Sequence, residues 1–137
     1  MELKELIELA KKDIPSDVLK KKHIDLDDIS DYDRIGGIYS NGKEIPANLE
    51  IAFEWYKIAK ENGEYYGFID LVNCYENGRG TKKDMAKRLE TLIEFTRSFG
   101  GEAPKEAYLY IAECYEKGLG TEIDLNEAKK WKKTAEK

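Results

Sequence analysis

Residues that staple, ligate or catalyse are scarce in this sequence: 137 positions hold two cysteines, one histidine and three prolines. Cys74, Cys114 and His23 give no zinc spacing, and the aspartates between 25 and 33 lack the glycine and terminal glutamate of a calcium loop. No metal or cofactor is expected. His23 follows Lys20-Lys21-Lys22, with no serine, cysteine or second histidine at a recognisable spacing, so no nucleophile and base pair is predicted. Long apolar runs are missing too. Charged residues interrupt each one well before the roughly 20 residues a bilayer crossing needs. Glu2, Lys4, Glu5 and Glu8 likewise break up any apolar leader, which makes the cytoplasm the expected location.

What is present is a soluble helical mix, 41% apolar and 37% charged, of a length that suits one domain, 1–137. Its charge is uneven. Residues 1–33 carry ten acids against six bases, whereas residues 73–112 carry six against seven. Asp25, Asp27, Asp28, Asp31 and Asp33 put five carboxylates into nine positions. Some of them can cap or solvate a helix, or together they form an acidic patch that steers a basic partner. The net charge of −5 repels phosphate backbones, so nucleic acid is disfavoured as a ligand.

The same phrase occurs three times. Tyr39, Tyr75 and Tyr115 are each followed by glycine at +3 (Gly42, Gly78, Gly118) and by Asn48, Asp84 or Asp124 at +9. Periods of 36 and 40 residues mark a repeat array. Ile35, Leu71 and Ile111 stand four before each tyrosine, and Gly67 and Ala107 stand eight before it, the spacing of one helical face. This predicts a helix A ended by a left-handed glycine, with Gly80 and Gly120 at +5 keeping the connection tight. The +9 residue then caps a helix B. Gly78-Arg79-Gly80-Thr81 is such a turn and not a phosphate cradle, because it follows a helix rather than a strand.

This frame, with Ala52 and Ala128 at +13 and Trp55 and Trp131 at +16, resembles the Sel-one-like repeat, a cousin of the tetratricopeptide repeat. The second copy departs at Arg88 and Thr91, and the first has Glu44-Ile45-Pro46 in place of the second glycine. The resemblance implies an all-α fold, a right-handed α/α superhelical solenoid of three Sel-like helix-hairpin repeats that binds proteins rather than catalyses. The units expected are an N-terminal cap (1–26) and repeats at 27–63, 64–101 and 102–137. Some secreted relatives staple each repeat with a cysteine pair; here Cys74 and Cys114 sit one apiece in successive repeats and are expected to be buried thiols.

Before the repeats, Leu3, Leu6, Ile7 and Ala10 mark an amphipathic helix stopped before Pro15, and Ser16 can cap a short turn with Val18 and Leu19. A cap over the first hydrophobic face is expected, or else an arm that reaches a partner. Lys129, Lys130, Lys132, Lys133 and Lys137 suit the negative end of the last helix.

With −8, −4 and 0 facing the core, positions −9, −5 and −2 fall on the other side of helix A, which in such solenoids lines the concave groove. These are Ser30, Arg34 and Gly37; Tyr66, Asp70 and Asn73; and Glu106, Tyr110 and Glu113. Tyrosines on a polar face suggest binding, unless Tyr66 and Tyr110 pack on a neighbouring helix. The predicted partner surface is Arg34, Tyr66, Asp70, Asn73, Glu106, Tyr110 and Glu113, joined by Asp27, Asp28 and Asp31. It would serve a monomeric protein-binding module for another protein with a basic surface, either an antidote that neutralises a toxin or an adaptor in a complex. The alternatives are a hydrolase-like enzyme, for which no nucleophile is visible, and a structural protein that self-associates through its last repeat.

Overall fold

A computed structural model describes residues 1–137, 69% of them helical and none in a strand. The helices are α1 (Leu3–Asp13), α2 (Ser16–Lys21), α3 (Tyr32–Asn41), α4 (Leu49–Glu61), α5 (Tyr65–Asn77), α6 (Met85–Phe99), α7 (Lys105–Lys117) and α8 (Leu125–Ala135). A short 3-10 turn, Gly100–Glu102, links α6 to α7. Each of α3/α4, α5/α6 and α7/α8 is a hairpin, and each packs mainly on the helices next to it in sequence, which makes the array a solenoid.

One local device is repeated three times. Gly42, Gly78 and Gly118 end helix A at φ of 69°, 68° and 72°, values that only glycine takes at no steric cost. The chain then turns until the backbone N–H of the +9 residue donates to the carbonyl of the repeat tyrosine: Asn48 to Tyr39 at 2.8 Å, Asp84 to Tyr75 at 2.9 Å and Asp124 to Tyr115 at 2.8 Å. The same three side chains accept from the amides of Ile51, Lys87 and Glu127, capping α4, α6 and α8. The spacing of nine is therefore the length of loop that closes this bond.

The glycines at +5 have a different task from the one their loop position suggests. A Cβ on Gly80 would lie 2.0 Å from the Leu49 carbonyl oxygen, and one on Gly120 would lie 2.3 Å from that of Met85. Each is the seat where a hairpin rests on the first turn of the preceding helix B, a backbone approach closer than any side chain allows. No helix B precedes the first hairpin, so Glu44 can occupy the corresponding position and pair with Lys22 at 3.2 Å.

The core is held in two clusters. Leu6, Ala10 and Ile14 of the N-terminal segment pack with Ile35, Ile38, Tyr39, Ala52 and Trp55, so α1 covers apolar surface that the first hairpin would otherwise expose. The Tyr39 hydroxyl donates to Asp13 at 2.8 Å and fastens the two together. Ser16 begins α2 without capping it; Pro15 stands at the cap position. Further along, Phe68, Leu89, Leu92, Phe95, Ala107, Ile111 and Cys114 form the second cluster. Cys74 and Cys114 are free and buried.

Along the helices B, the residues that receive the next hairpin change character. Fourteen positions after each tyrosine stand Phe53, Leu89 and then Lys129; seventeen after stand Tyr56, Leu92 and then Lys132. The first two of each set are buried and the lysines are exposed. The outer face of α8 is charged where α4 and α6 are apolar. No helix is long and apolar enough to cross a membrane.

Candidate partner-binding face

Helix A is amphipathic in each repeat, and 100° of rotation per residue places −2, −6 and −9 about 140–160° from the core direction, whereas −5 lies only about 100° away. The −5 side chains accordingly turn sideways, towards the preceding unit. Arg34 donates to the Lys22 carbonyl, Asp70 lies against Asp33, and Tyr110 stacks over the Arg88 guanidinium at 5.6 Å. Arg34 is thus engaged with the N-terminal segment, although its side chain remains exposed.

The −6 positions, which the expected set omits, hold Asp33, Ile69 and Leu109. Ile69 and Leu109 are 37% and 39% exposed, beside Tyr66 at 65% and Tyr110 at 48%. Four of the seven exposed large apolar residues of the protein therefore stand on one face of two adjacent helices, α5 and α7. Counting −6 together with −2 and −9 by the same rotation would have found them.

Both tyrosine rings are braced from beneath. Tyr66 meets Tyr65 edge to face at 5.3 Å, and Tyr65 belongs to a group with Phe68, Phe95 and Phe99 whose centroids lie 5.1–5.9 Å apart. Arg88 under Tyr110 is 4% exposed and donates from Nε to Glu76 at 2.8 Å and from Nη1 to the Cys114 sulfur at 3.2 Å. Rings held this way lose little freedom on contact with a ligand.

Towards α3 the face becomes acidic. The N-terminus of α3 is capped from a distance: the amides of Tyr32 and Asp33 donate to Glu64 at 3.1 and 3.0 Å, and Asp31 makes no side-chain cap. Of the roles open to the aspartate run, capping α3 falls instead to Glu64, which arrives at the start of α5 and accepts from those amides. Asp27 pairs with Lys11 at 2.8 Å, while Asp28 is exposed. Burial, with the adjacent Asp70 and then Asp31 and Glu64, pushes the Asp33 carboxyl up to about 8. With both carboxyls ionised Asp33 Oδ1 is buried without a donor, and a proton held between Asp33 and Asp70 supplies one.

The remaining predicted residues are peripheral to this surface. Asn73 is exposed on α5, Glu106 is exposed in the first turn of α7, and Glu113 pairs with Lys117 at 3.8 Å. Ser30 precedes α3, and Gly37 faces open space.

Three hairpins in this register have a counterpart among known proteins. The Sel1 repeat model matches residues 33–64, 65–87 and 105–135. The chain belongs to the Sel1 repeat family. Such repeats are generally protein-interaction modules. Among solved structures, a Sel1 repeat protein from Oxalobacter formigenes aligns over 77% of this chain and 42% of its own, at 28% identity and a TM-score of 0.62. The c5321 protein, a protective antigen present in uropathogenic Escherichia coli strains and displaying an SLR fold, aligns over 99% of this chain and 25% of its own, at 21% identity and a TM-score of 0.66. At that identity the second shares the fold alone, and the chain spans less than half the length of either. No curated protein matches it.

Proposed function

We propose that this Sel1 repeat chain is a protein-binding module, that the face formed by α3, α5 and α7 receives its partner, and that the partner presents a basic surface there. The observation that carries the proposal is the pair of braced, exposed rings, Tyr66 and Tyr110, on successive helices A with unpaired acids beside them. Aromatic side chains of this kind supply much contact area at small entropic cost, and the acids add rate and selectivity towards a basic surface. An antidote for a basic toxin would bind one partner at nanomolar affinity that weakens with salt; an adaptor would hold several ligands more weakly.

A hydrolase finds no support in the thiols. Burial pushes Cys74 up to about 11 and raises Cys114 despite the neighbouring Arg88, which is opposite to what a nucleophilic thiolate needs. Self-stacking through the last repeat would bury Lys129 and Lys132, at a cost that favours the monomer.

The test takes a partner captured from the native organism. Tyr66→Ala combined with Tyr110→Ala is expected to weaken its binding at least tenfold, with helical content unchanged by circular dichroism and stability within about 1 kcal/mol. Unchanged affinity in a folded double variant would refute the assignment of this face.

A further inference from the structure

The face is two surfaces joined end to end. At its α3 end Asp31, Asp33, Glu64 and Asp70 gather, and no ion pair of the chain reaches any of them. At its α7 end Leu109 and Tyr110 are exposed, with Ile69 between the two halves on α5. Tyr66 stands one helical turn before Asp70 on α5, so an aromatic ring flanks the acids. Carboxylates beside an aromatic ring suit a lysine or arginine by charge and by cation–π attraction, and an aliphatic shelf suits an apolar side chain.

We propose that the face binds a single polypeptide segment in one register, its lysine or arginine seated at Asp33 and Asp70 and its large apolar side chain lying on Ile69, Leu109 and Tyr110. This rests on the assignment of α3, α5 and α7 as the docking face and adds the chemistry of the ligand. Neighbouring helices pack about 8–10 Å apart and an extended chain rises about 3.3 Å per residue, so the two anchor residues stand about three positions apart.

A proton is displaced in the process. The groups that face Asp33 are Asp70 from α5, Glu64 just ahead of α5, Asp31 just ahead of α3, and the Tyr56 hydroxyl from α4. All but the phenol are carboxyls, and Asp33, raised to about 8 by burial and by these neighbours, holds a proton at neutral pH. A cation seated against the solvent side of the pair favours the ionised Asp33 carboxylate, so the proton leaves as the cation arrives and binding strengthens as pH rises towards 8.

The test uses four capped tetrapeptides, Arg-Gly-Gly-Leu, Leu-Gly-Gly-Arg, Arg-Gly-Gly-Ser and Glu-Gly-Gly-Leu, titrated into the 15N-labelled full chain and followed by amide shifts. One of the two arginine–leucine orders is expected to move the amides around Asp70 and Leu109 saturably, several-fold more tightly than the serine peptide, with the glutamate peptide inert. Its affinity should rise roughly tenfold per pH unit below 8, and Asp33→Asn should flatten that dependence. Equal shifts from the arginine and glutamate peptides, shifts confined to other surfaces, or an affinity indifferent to pH would each overturn the proposal. If all four peptides leave the face unmoved while the captured partner still loses affinity on Tyr66→Ala plus Tyr110→Ala, the ligand chemistry is wrong and the docking face stands.

Discussion

The first two hairpins share a frame of tyrosine, glycine and cap but fill it differently. In α3/α4 the small Ala52 lets Trp55 stand fully buried, with Tyr32 stacked on it at 6.2 Å. In α5/α6 the corresponding residues are Arg88 and Thr91; the threonine hydroxyl turns back to the Lys87 carbonyl, and Tyr65, Phe68, Phe95 and Phe99 supply the missing aromatic volume. The frame therefore sets the backbone path of a hairpin, and the packing between helices can be solved by one large peg or by several smaller rings.

Substitutions can separate these two solutions. Trp55→Ala should be the most damaging, costing about 3–5 kcal/mol in urea unfolding, because a fully buried ring is removed and leaves its whole volume empty. At the junction of the two hairpins, Gly80→Ala should cost about 1–3 kcal/mol through the Leu49 carbonyl and the positive φ, whereas Glu44→Gly at the matching position of the first hairpin should cost under about 1 kcal/mol. A Gly80→Ala protein as stable as the parent would show that the seat adjusts.

Arg88→Ala comes next, at about 1–2 kcal/mol, since Glu76 is half exposed and rehydrates when its partner is lost. It should also loosen Tyr110, visible as a fall in the order of that ring by NMR. Arg88→Met would restore most of the stability and none of the stacking.

The smallest effect is a gain. The Asp33 carboxyl sits above its ordinary value near 3.8, so the stability it contributes as a protonated group is complete below about pH 4 and is lost as pH rises through about 8. Asp33→Asn keeps a donor for Asp70 and does not ionise. It should match the parent at pH 4 and exceed it at pH 8.5. Melting curves at the two pH values decide it.

The three tyrosines with their glycine and cap were legible in the sequence because each is a short-range requirement: a left-handed residue to end one helix, an oxygen to begin the next, and a fixed span between them. Helical content and the buried thiols follow from the same local rules. The partners of Asp33 were hidden, since Glu64 and Asp70 reach it from 31 and 37 positions away and only stacking brings them together. Likewise the task of Gly80 depends on a carbonyl in another hairpin, and its spacing alone suggests a tight loop. The exposure of Ile69 and Leu109 follows from the same spacing, since −6 lies farther round helix A from the core than the −5 positions of the expected face.

Because each hairpin leans chiefly on its neighbour in the chain, few links tie distant parts together. Drawn out by its two ends, such a molecule should yield in stages, one hairpin releasing after another, and refolding can begin at any hairpin and spread to its neighbours.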